Sequence, residues 1–288
     1  MILAILEVFG GKIARINLQK ILFLVSQRQS KAAYDFIPYK FGCFSYSANA
    51  DLVAMVKHGY LLEDDVNFQK KDKKSYLPEL NAADRQLVNQ AYILLKNHDA
   101  DALMKYTYTK FPYYAINSVT AERLLTLEER NKVSEKRPLS TKTILYTIGY
   151  EGVSLETYLN KLIQHDVRVL VDVRNNPLSQ KFGFSKSQLK NYCNSLSIEY
   201  VHYADVGIQS EERQELNVQK DYDDLFANYQ RNVLPQTKDT QERILDLLRT
   251  KKRIALTCFE ANICQCHRKY LSEAITTLPG WQFELNHI

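Results

Sequence analysis

The densest chemistry in the chain lies between residues 258 and 267, where Cys258, Glu260, Cys264, Cys266 and His267 fall within one stretch of ten. Thiol, carboxylate and imidazole groups at this density suit either metal binding or nucleophilic catalysis. The spacing C-x5-C-x-C-H collects soft donors of the kind zinc takes. Against it, Cys266 and His267 are expected to open a helix, where adjacent side chains point about 100° apart, and no second CxxC pair is present. No metal ligand set is therefore assigned, and the cofactor is left open. As catalysis, a cysteine at a helix start has its thiolate stabilised by the helix dipole and by nearby cations. Cys266, beside His267 and Arg268, suits a nucleophile or an anion-handling group. Cys258 reads equally well as a small buried core residue.

A second group of polar residues precedes it. Arg174, Lys181, Lys186 and Arg268 are candidates for an anion site, since guanidinium groups match phosphate with paired hydrogen bonds. Phe182 and Phe184 lie between the two lysines, a pattern that suits base stacking with phosphate contacts or, as plainly, a solvated loop with buried phenylalanines. Asp172 and Glu260 are candidate acid–base groups. The competing reading pairs Asp172 structurally with an arginine such as Arg268. His202, Gly149 and Tyr150 join the candidate ligand-binding set from other strand ends.

Those residues need a frame. From about Lys142 the chain alternates β-rich runs with helical ones: TILYTIGY, a helix capped by Ser154, VRVLVDV, a helix at 185–196, IEYVHY, helices at 221–229 and 239–248, RIALTC, a helix at 266–276, and WQFEL. Such alternation predicts an α/β fold with a parallel sheet and right-handed crossovers. Ligands of open α/β sheets bind beyond the carboxyl ends of the strands. Four successive strands turn polar at that end, at Gly149-Tyr150, Asp172-Val173-Arg174, His202-Tyr203 and Cys258-Phe259-Glu260, which predicts one shared pocket. Neither GxGxxG nor GxxxxGK[ST] occurs, so dinucleotide and P-loop readings have no support.

The same segments carry a resemblance. TIGYEG, VDVRNNPLSQKFGFSK, IEYVHYADVG and LTCFEANICQCHR, in this order over roughly Thr143–Ala274, resemble the bacterial family called domain of unknown function 488. The resemblance implies an α/β fold and a site built from these motifs, and no established reaction. The shared elements are Asp172-x-Arg174-x-x-Pro177, Cys258-x-Glu260 and Cys266-His267-Arg268. The chain departs from the family at Cys264, an extra thiol, and at Ile208-Gln209, which follow Gly207 where a second glycine is frequent.

The first half is different. Helices are expected at 12–27, 48–58 (capped by Ser47 or Asn49), 81–96, 101–106 and 120–127, with a strand at 60–68, a charged hairpin tip at KKDKK and a returning strand at SYLPEL. Helix, turn, helix and hairpin is the order of a winged helix. LQKILFL, the run Phe36–Ser45, Asp51-Leu52 and His58-Gly59-Tyr60 resemble winged-helix-like domains found beside bacterial toxin–antitoxin and regulatory proteins, which implies fold rather than partner. A mainly α, winged-helix-like domain is thus expected over 1–127, a polar linker over 128–142 and the α/β domain over 143–288.

Charge separates the halves too. Up to Arg137 there are 20 lysines and arginines against 15 acids, and the remainder is balanced at 18 and 18. A basic excess suits nucleic acid as partner and also an ordinary solvated surface. No run of about 18 apolar residues suggests a membrane span. The apolar start is expected to be a core helix with a short lead-in. Five cysteines, an odd number in a large chain, suggest a reducing cytoplasm. The expected function is a nucleic-acid-associated bacterial protein whose α/β domain processes or binds a phosphate-bearing ligand, a nucleotide or nucleic acid. Two alternatives stand beside it: a non-catalytic DNA-binding regulator sensing a small anion, and a protein–protein module of a toxin–antitoxin or defence system. Self-association is compatible with each.

Overall fold

The apolar residues at the start form α1 (Ile2–Val8), with Ile2, Ala4, Ile5 and Leu6 buried. In the computed structural model, which describes residues 1–209 and 219–288, α1 belongs to the first of two units, Met1–Arg137 and Pro138–Ile288. The helix expected from residue 12 starts later. Lys12–Ala14 is β1, drawn into a sheet by pairing with residues 67–69, and α2 takes Arg15–Ser26. Eight residues of α2 are buried, so it is the central helix of this unit. Gln19 ties it to the next hairpin by exchanging two hydrogen bonds with the backbone of Ser45. That hairpin is β2 (Ile37–Tyr39) and β3 (Gly42–Phe44). Ser45 caps α3 (Tyr46–Lys57), two residues before the earliest cap expected, because its side chain reaches the Ala48 amide.

The hairpin that follows is tighter than expected. β4 (Leu61–Glu63) and β5 (Asn67–Lys70) turn at Asp64, whose carboxylate accepts from the amides of Val66 and Asn67 at 2.9 and 2.6 Å. KKDKK therefore trails β5 instead of forming the tip, and SYLPEL holds a 3-10 turn at Leu77–Glu79. The antiparallel sheet runs β1-β5-β4. Helices α4 (Ala82–Leu95), α5 (Ala100–Lys110), α6 (Ala121–Leu124) and α7 (Leu127–Glu135) complete the unit. α7 occupies much of the stretch expected to be linker, because Thr126 and Glu129 form a reciprocal capping box.

The second unit alternates as expected: β6 (Ile144–Gly149), α8 (Leu155–Gln164), β7 (Val169–Asp172), α9 (Lys186–Ser195), β8 (Glu199–His202), α10 (Gln219–Asn228), α11 (Lys238–Lys251), β9 (Arg253–Cys258), α12 (His267–Thr276) and β10 (Glu284–His287). The last strand starts at Glu284, later than the WQFEL run suggested. The five strands are parallel, in the order β10-β6-β9-β7-β8. β6, β7 and β9 are buried almost throughout, as expected of strands covered on both faces.

Alternation along these strands sorts the candidate residues. Val169, Val171 and Val173 pack with Ile254, Leu256 and Cys258 against Ile244, Leu248, Leu271 and Ile275 of α11 and α12. Asp172 pairs with Thr257 in the register of β7 and β9, so both face the other side. There the Tyr158 hydroxyl of α8 donates to Thr257 Oγ1 at 2.7 Å. Asp172 and Cys258 therefore leave the sheet on opposite faces.

Candidate functional site

On the α8 side, Asp172 is fully buried and Arg174 is 6% exposed. Asp172 Oδ1 accepts from Arg174 Nε at 2.8 Å and from the Arg174 amide at 3.1 Å. Its Oδ2 accepts from Arg174 Nη2 at 2.5 Å and from the Tyr200 hydroxyl at 2.6 Å. Arg174 Nη1 donates to the Tyr150 hydroxyl and to the Phe184 carbonyl, at 2.7 and 2.9 Å. Burial opposes the Arg174 charge, but its bonds to Asp172 and that residue's charge hold it above the ordinary arginine range. Tyr200 is shifted upward by burial and by Asp172. The partner expected for Asp172 was an arginine such as Arg268; Arg174, two residues away, takes that place. With both oxygens engaged inside the fold, Asp172 is arranged as a structural anchor. The Arg174 guanidinium is spent on the same anchor.

The Tyr150 ring stacks on Phe184 at 4.2 Å and meets Phe259 edge-on at 5.3 Å. It thereby joins the loop after β7 to the loop after β9. Burial raises its hydroxyl pKa. Gly149 contributes space: a Cβ there would lie 1.9 Å from the Glu260 carbonyl oxygen. Gly207 serves the same end, its missing Cβ falling 2.2 Å from the Asn175 amide nitrogen. Arg268 donates to the carbonyls of Glu260 and Ala261 and pins the loop after β9. Two of the arginines expected at an anion site are therefore committed to shaping loops.

The lysines lie nearer the surface. Lys181 donates to the Tyr150 carbonyl at 2.7 Å. Lys186, exposed at the start of α9, reaches His202 Nδ1 at 2.9 Å, and His202 Nε2 contacts the Arg174 carbonyl at 2.8 Å. A carbonyl only accepts, so Nε2 carries the proton and Nδ1 accepts from Lys186. Phe184 is buried, as the loop reading had it, while Phe182 is 40% exposed.

On the α11–α12 side, Cys258, Cys266 and His267 are buried together. Cys266 does not open α12 in helical geometry. It is the N-cap, with extended backbone at φ −134° and ψ 135°. The 100° offset expected between Cys266 and His267 thus does not apply, and both side chains turn toward Cys258. His267 Nδ1 lies 3.7 Å from Cys258 Sγ and 4.0 Å from Cys266 Sγ. Glu260 Oε2 is 3.1 Å from Cys258 Sγ. Burial pushes the Cys266 thiol well above its ordinary pKa, and Cys258 and Glu260 add to the shift. With no exposed surface, Cys266 lacks the accessible thiolate of the expected nucleophile. Cys264, the extra thiol, is exposed in a 3-10 turn and stands apart from this cluster.

The two constellations meet at one cavity of about 340 Å³ at the carboxyl end of the sheet, within the lower range of ligand pockets, about 300–1,000 Å³. Tyr150 and Arg174 line it from one side, Cys258 and His267 from the other. Asn175, Asn176 and Ser179 add neutral polar groups that were not singled out from the sequence. Their position just after Arg174, at the end of a buried strand, was the available signal. Tyr200 was not singled out either; its value comes from its register opposite Leu170, two residues before Asp172 and so on the same face of the sheet.

No curated protein and no solved structure matches this chain. Residues 154–275, which contain the Asp172–Arg174 anchor and the Cys258–His267 cluster but not the TIGYEG strand end before them, match the family described as Domain of unknown function DUF488.

Proposed function

We propose that the second unit is an enzyme that binds a small phosphate-bearing ligand, a nucleotide or a nucleic-acid end, and acts on it at the Cys258–Glu260–His267 group. The observation that carries this reading is the shared cavity. A thiol and an imidazole stand at its wall with a carboxylate next to the thiol, beyond the carboxyl ends of parallel strands. The anion reading now rests on Lys181 at the loop beside the cavity, whose ammonium has three N–H groups and gives one to the Tyr150 carbonyl, and on the neutral groups of Asn176 and Ser179, because Arg174, Arg268 and the Asn175 amide are engaged within the fold. Equilibrium dialysis of the full chain against inorganic phosphate, nucleoside mono- and triphosphates and a short oligonucleotide tests it. Binding weakened at least tenfold by Asn176→Ala or Lys181→Ala, at unchanged thermal stability, is expected. Absence of binding by every probe at millimolar concentration rejects the reading.

For the first unit, the order α2, α3 and the β4–β5 hairpin joined by β1 supports a winged-helix-type module contacting nucleic acid. Within the hairpin region Lys12 pairs with Asp64, Arg15 with Glu63, and Lys70 with Asp72, which leaves phosphate contact to bases such as the exposed Lys71 and Lys73. Fluorescence anisotropy with duplex DNA should show affinity falling steeply between about 50 and 200 mM salt. No binding at low salt turns the assignment toward a protein partner.

A further inference from the structure

We propose that Cys258, Cys266 and His267 form a metal site of the zinc class, with its fourth position toward the cavity. The inference concerns the pocket of the proposed function and rests on that reading only for what the open position does.

Three observations converge on it. The first is distance. One donor atom from each residue lies within 4.8 Å of the other two. A tetrahedral ion with bonds of about 2.3 Å to sulfur and about 2.0 Å to nitrogen requires donor separations of about 3.8 Å between sulfurs and about 3.6 Å between sulfur and nitrogen. The separations of 3.7 and 4.0 Å between His267 Nδ1 and the two sulfurs are already within a few tenths of an ångström of that.

The second is the histidine's orientation. His267 Nε2 lies 3.0 Å from the Val173 carbonyl oxygen, so Nε2 holds the proton and Nδ1 presents its lone pair to both sulfurs. A metal-bound histidine characteristically donates its other ring N–H to such an outer partner, which fixes tautomer and ring plane. Val173 is fully buried one residue past the end of β7, where its amide donates to the Thr257 carbonyl, so this support is held in place. A Cys258–Cys266 disulfide would leave the Nδ1 lone pair facing two sulfurs with no proton to offer.

The third is charge and access. Two thiolates and a neutral imidazole around a divalent ion sum to zero, which suits residues that are 0 to 1% exposed. Binding displaces the two thiol protons, the one on Cys258 toward the Glu260 carboxylate that already accepts from it and the other to solvent. Thiolate with imidazole selects zinc over the oxygen-seeking magnesium and calcium. Cys266 closes the site from within, while Cys258 and His267 reach the cavity wall. Three protein ligands and one open position is the plan of a catalytic zinc centre. Glu260 Oε2, which accepts from Cys258 Sγ at 3.1 Å, is placed to take up the Cys258 thiol proton as the metal binds.

The test uses the full chain purified under reducing conditions. Elemental analysis should find about one equivalent of zinc per chain. After chelation, cobalt(II) should restore the charge-transfer and ligand-field bands of a tetrahedral thiolate site. Cys258→Ser, Cys266→Ser and His267→Ala should each lower metal affinity at least tenfold, and Cys264→Ser should leave it unchanged. Failure of the reduced wild-type chain to take up zinc or cobalt at micromolar concentration overturns the proposal, even where a variant fails to fold. So does an equal loss in Cys264→Ser, or a Cys258–Cys266 disulfide that persists in reductant. Metal uptake without any phosphate-bearing ligand sustains the site and removes the proposed function. Ligand binding by chain that never takes up metal does the reverse.

Discussion

Replacing Arg174 by methionine separates an anion-binding arginine from a structural one. The substitution keeps most of the side chain's volume and removes both guanidinium donors to Asp172. Asp172 is fully buried, and only the Tyr200 hydroxyl and the residue 174 amide remain to it. Breaking a buried ion pair by removing one partner costs about 3–5 kcal/mol, because the surviving charge is left uncompensated. Arg174 is 6% exposed, so solvent screening reduces this little. The second unit spans Pro138–Ile288. At about 2.1 cal/mol/K per residue, its unfolding entropy is roughly 0.3 kcal/mol/K, and the loss corresponds to a fall in Tm of about 10–15 °C. Calorimetry on the full chain measures the fall, and hydrogen exchange of the β7 amides assigns it to this unit. Adding Asp172→Asn should recover part of the loss, since the unpaired charge then disappears. A fall below about 3 °C together with lost phosphate-ligand binding refutes the anchor and returns Arg174 to the ligand.

Three further outcomes follow from named contacts. Gly149→Ala places a methyl group 1.9 Å from the Glu260 carbonyl oxygen. Because the obstacle is backbone, the strain should reach about 3 kcal/mol or more; a denaturant midpoint equal to that of the parent speaks against the close approach. Tyr158→Phe removes the 2.7 Å bond to the buried Thr257 hydroxyl and should cost about 1–2 kcal/mol with ligand binding unchanged. Lys20 is 2% exposed, donates to the Cys43 carbonyl at 2.8 Å, and has its pKa lowered by burial. Between its folded value and 10.5 the unfolded chain binds more protons at this group, so its contribution to stability rises with pH. The stability of the wild type relative to Lys20→Met should therefore climb as pH approaches 10.5 in denaturant titrations, and a flat difference sinks the argument.

The sheet was legible because its physics is local. VRVLVDV and RIALTC are apolar on both faces, and only a covered parallel strand tolerates that. The polar strand ends were legible for the same reason, being where that apolarity stops. The first unit was harder. Lys12–Ala14 becomes a strand only because residues 67–69 pair with it, a contact with no local trace. The hairpin tip moved from KKDKK to Asp64 because one carboxylate gathers two amides, which outweighs the turn tendency of a lysine-rich run. α7 was missed although Thr126 and Glu129 carry the capping-box spacing. There the signal was present, and the high charge of the segment obscured it.

The site required one thing that composition does not carry, the phase of each strand. Read as types, Asp172, Arg174, Cys258 and His267 form a single polar set. Read in register, Asp172 pairs with Thr257, and Cys258 is one residue out of step with them. That step sends the ion pair to the α8 side and the sulfurs to the α12 side. The two groups share a cavity only because the chain continues past the strand ends. Arg174 comes over with the loop after β7. Tyr150 bridges to that loop through Phe184 and to the loop after β9 through Phe259. Gly149 and Arg268 hold the latter loop close. Cys266 follows the same logic. Treated as the first helical residue it points away from His267, but one position earlier, as an extended N-cap, it points with it. A single residue of phase at β9 and another at α12 separate a scattered polar surface from a buried three-donor cluster at the wall of a pocket.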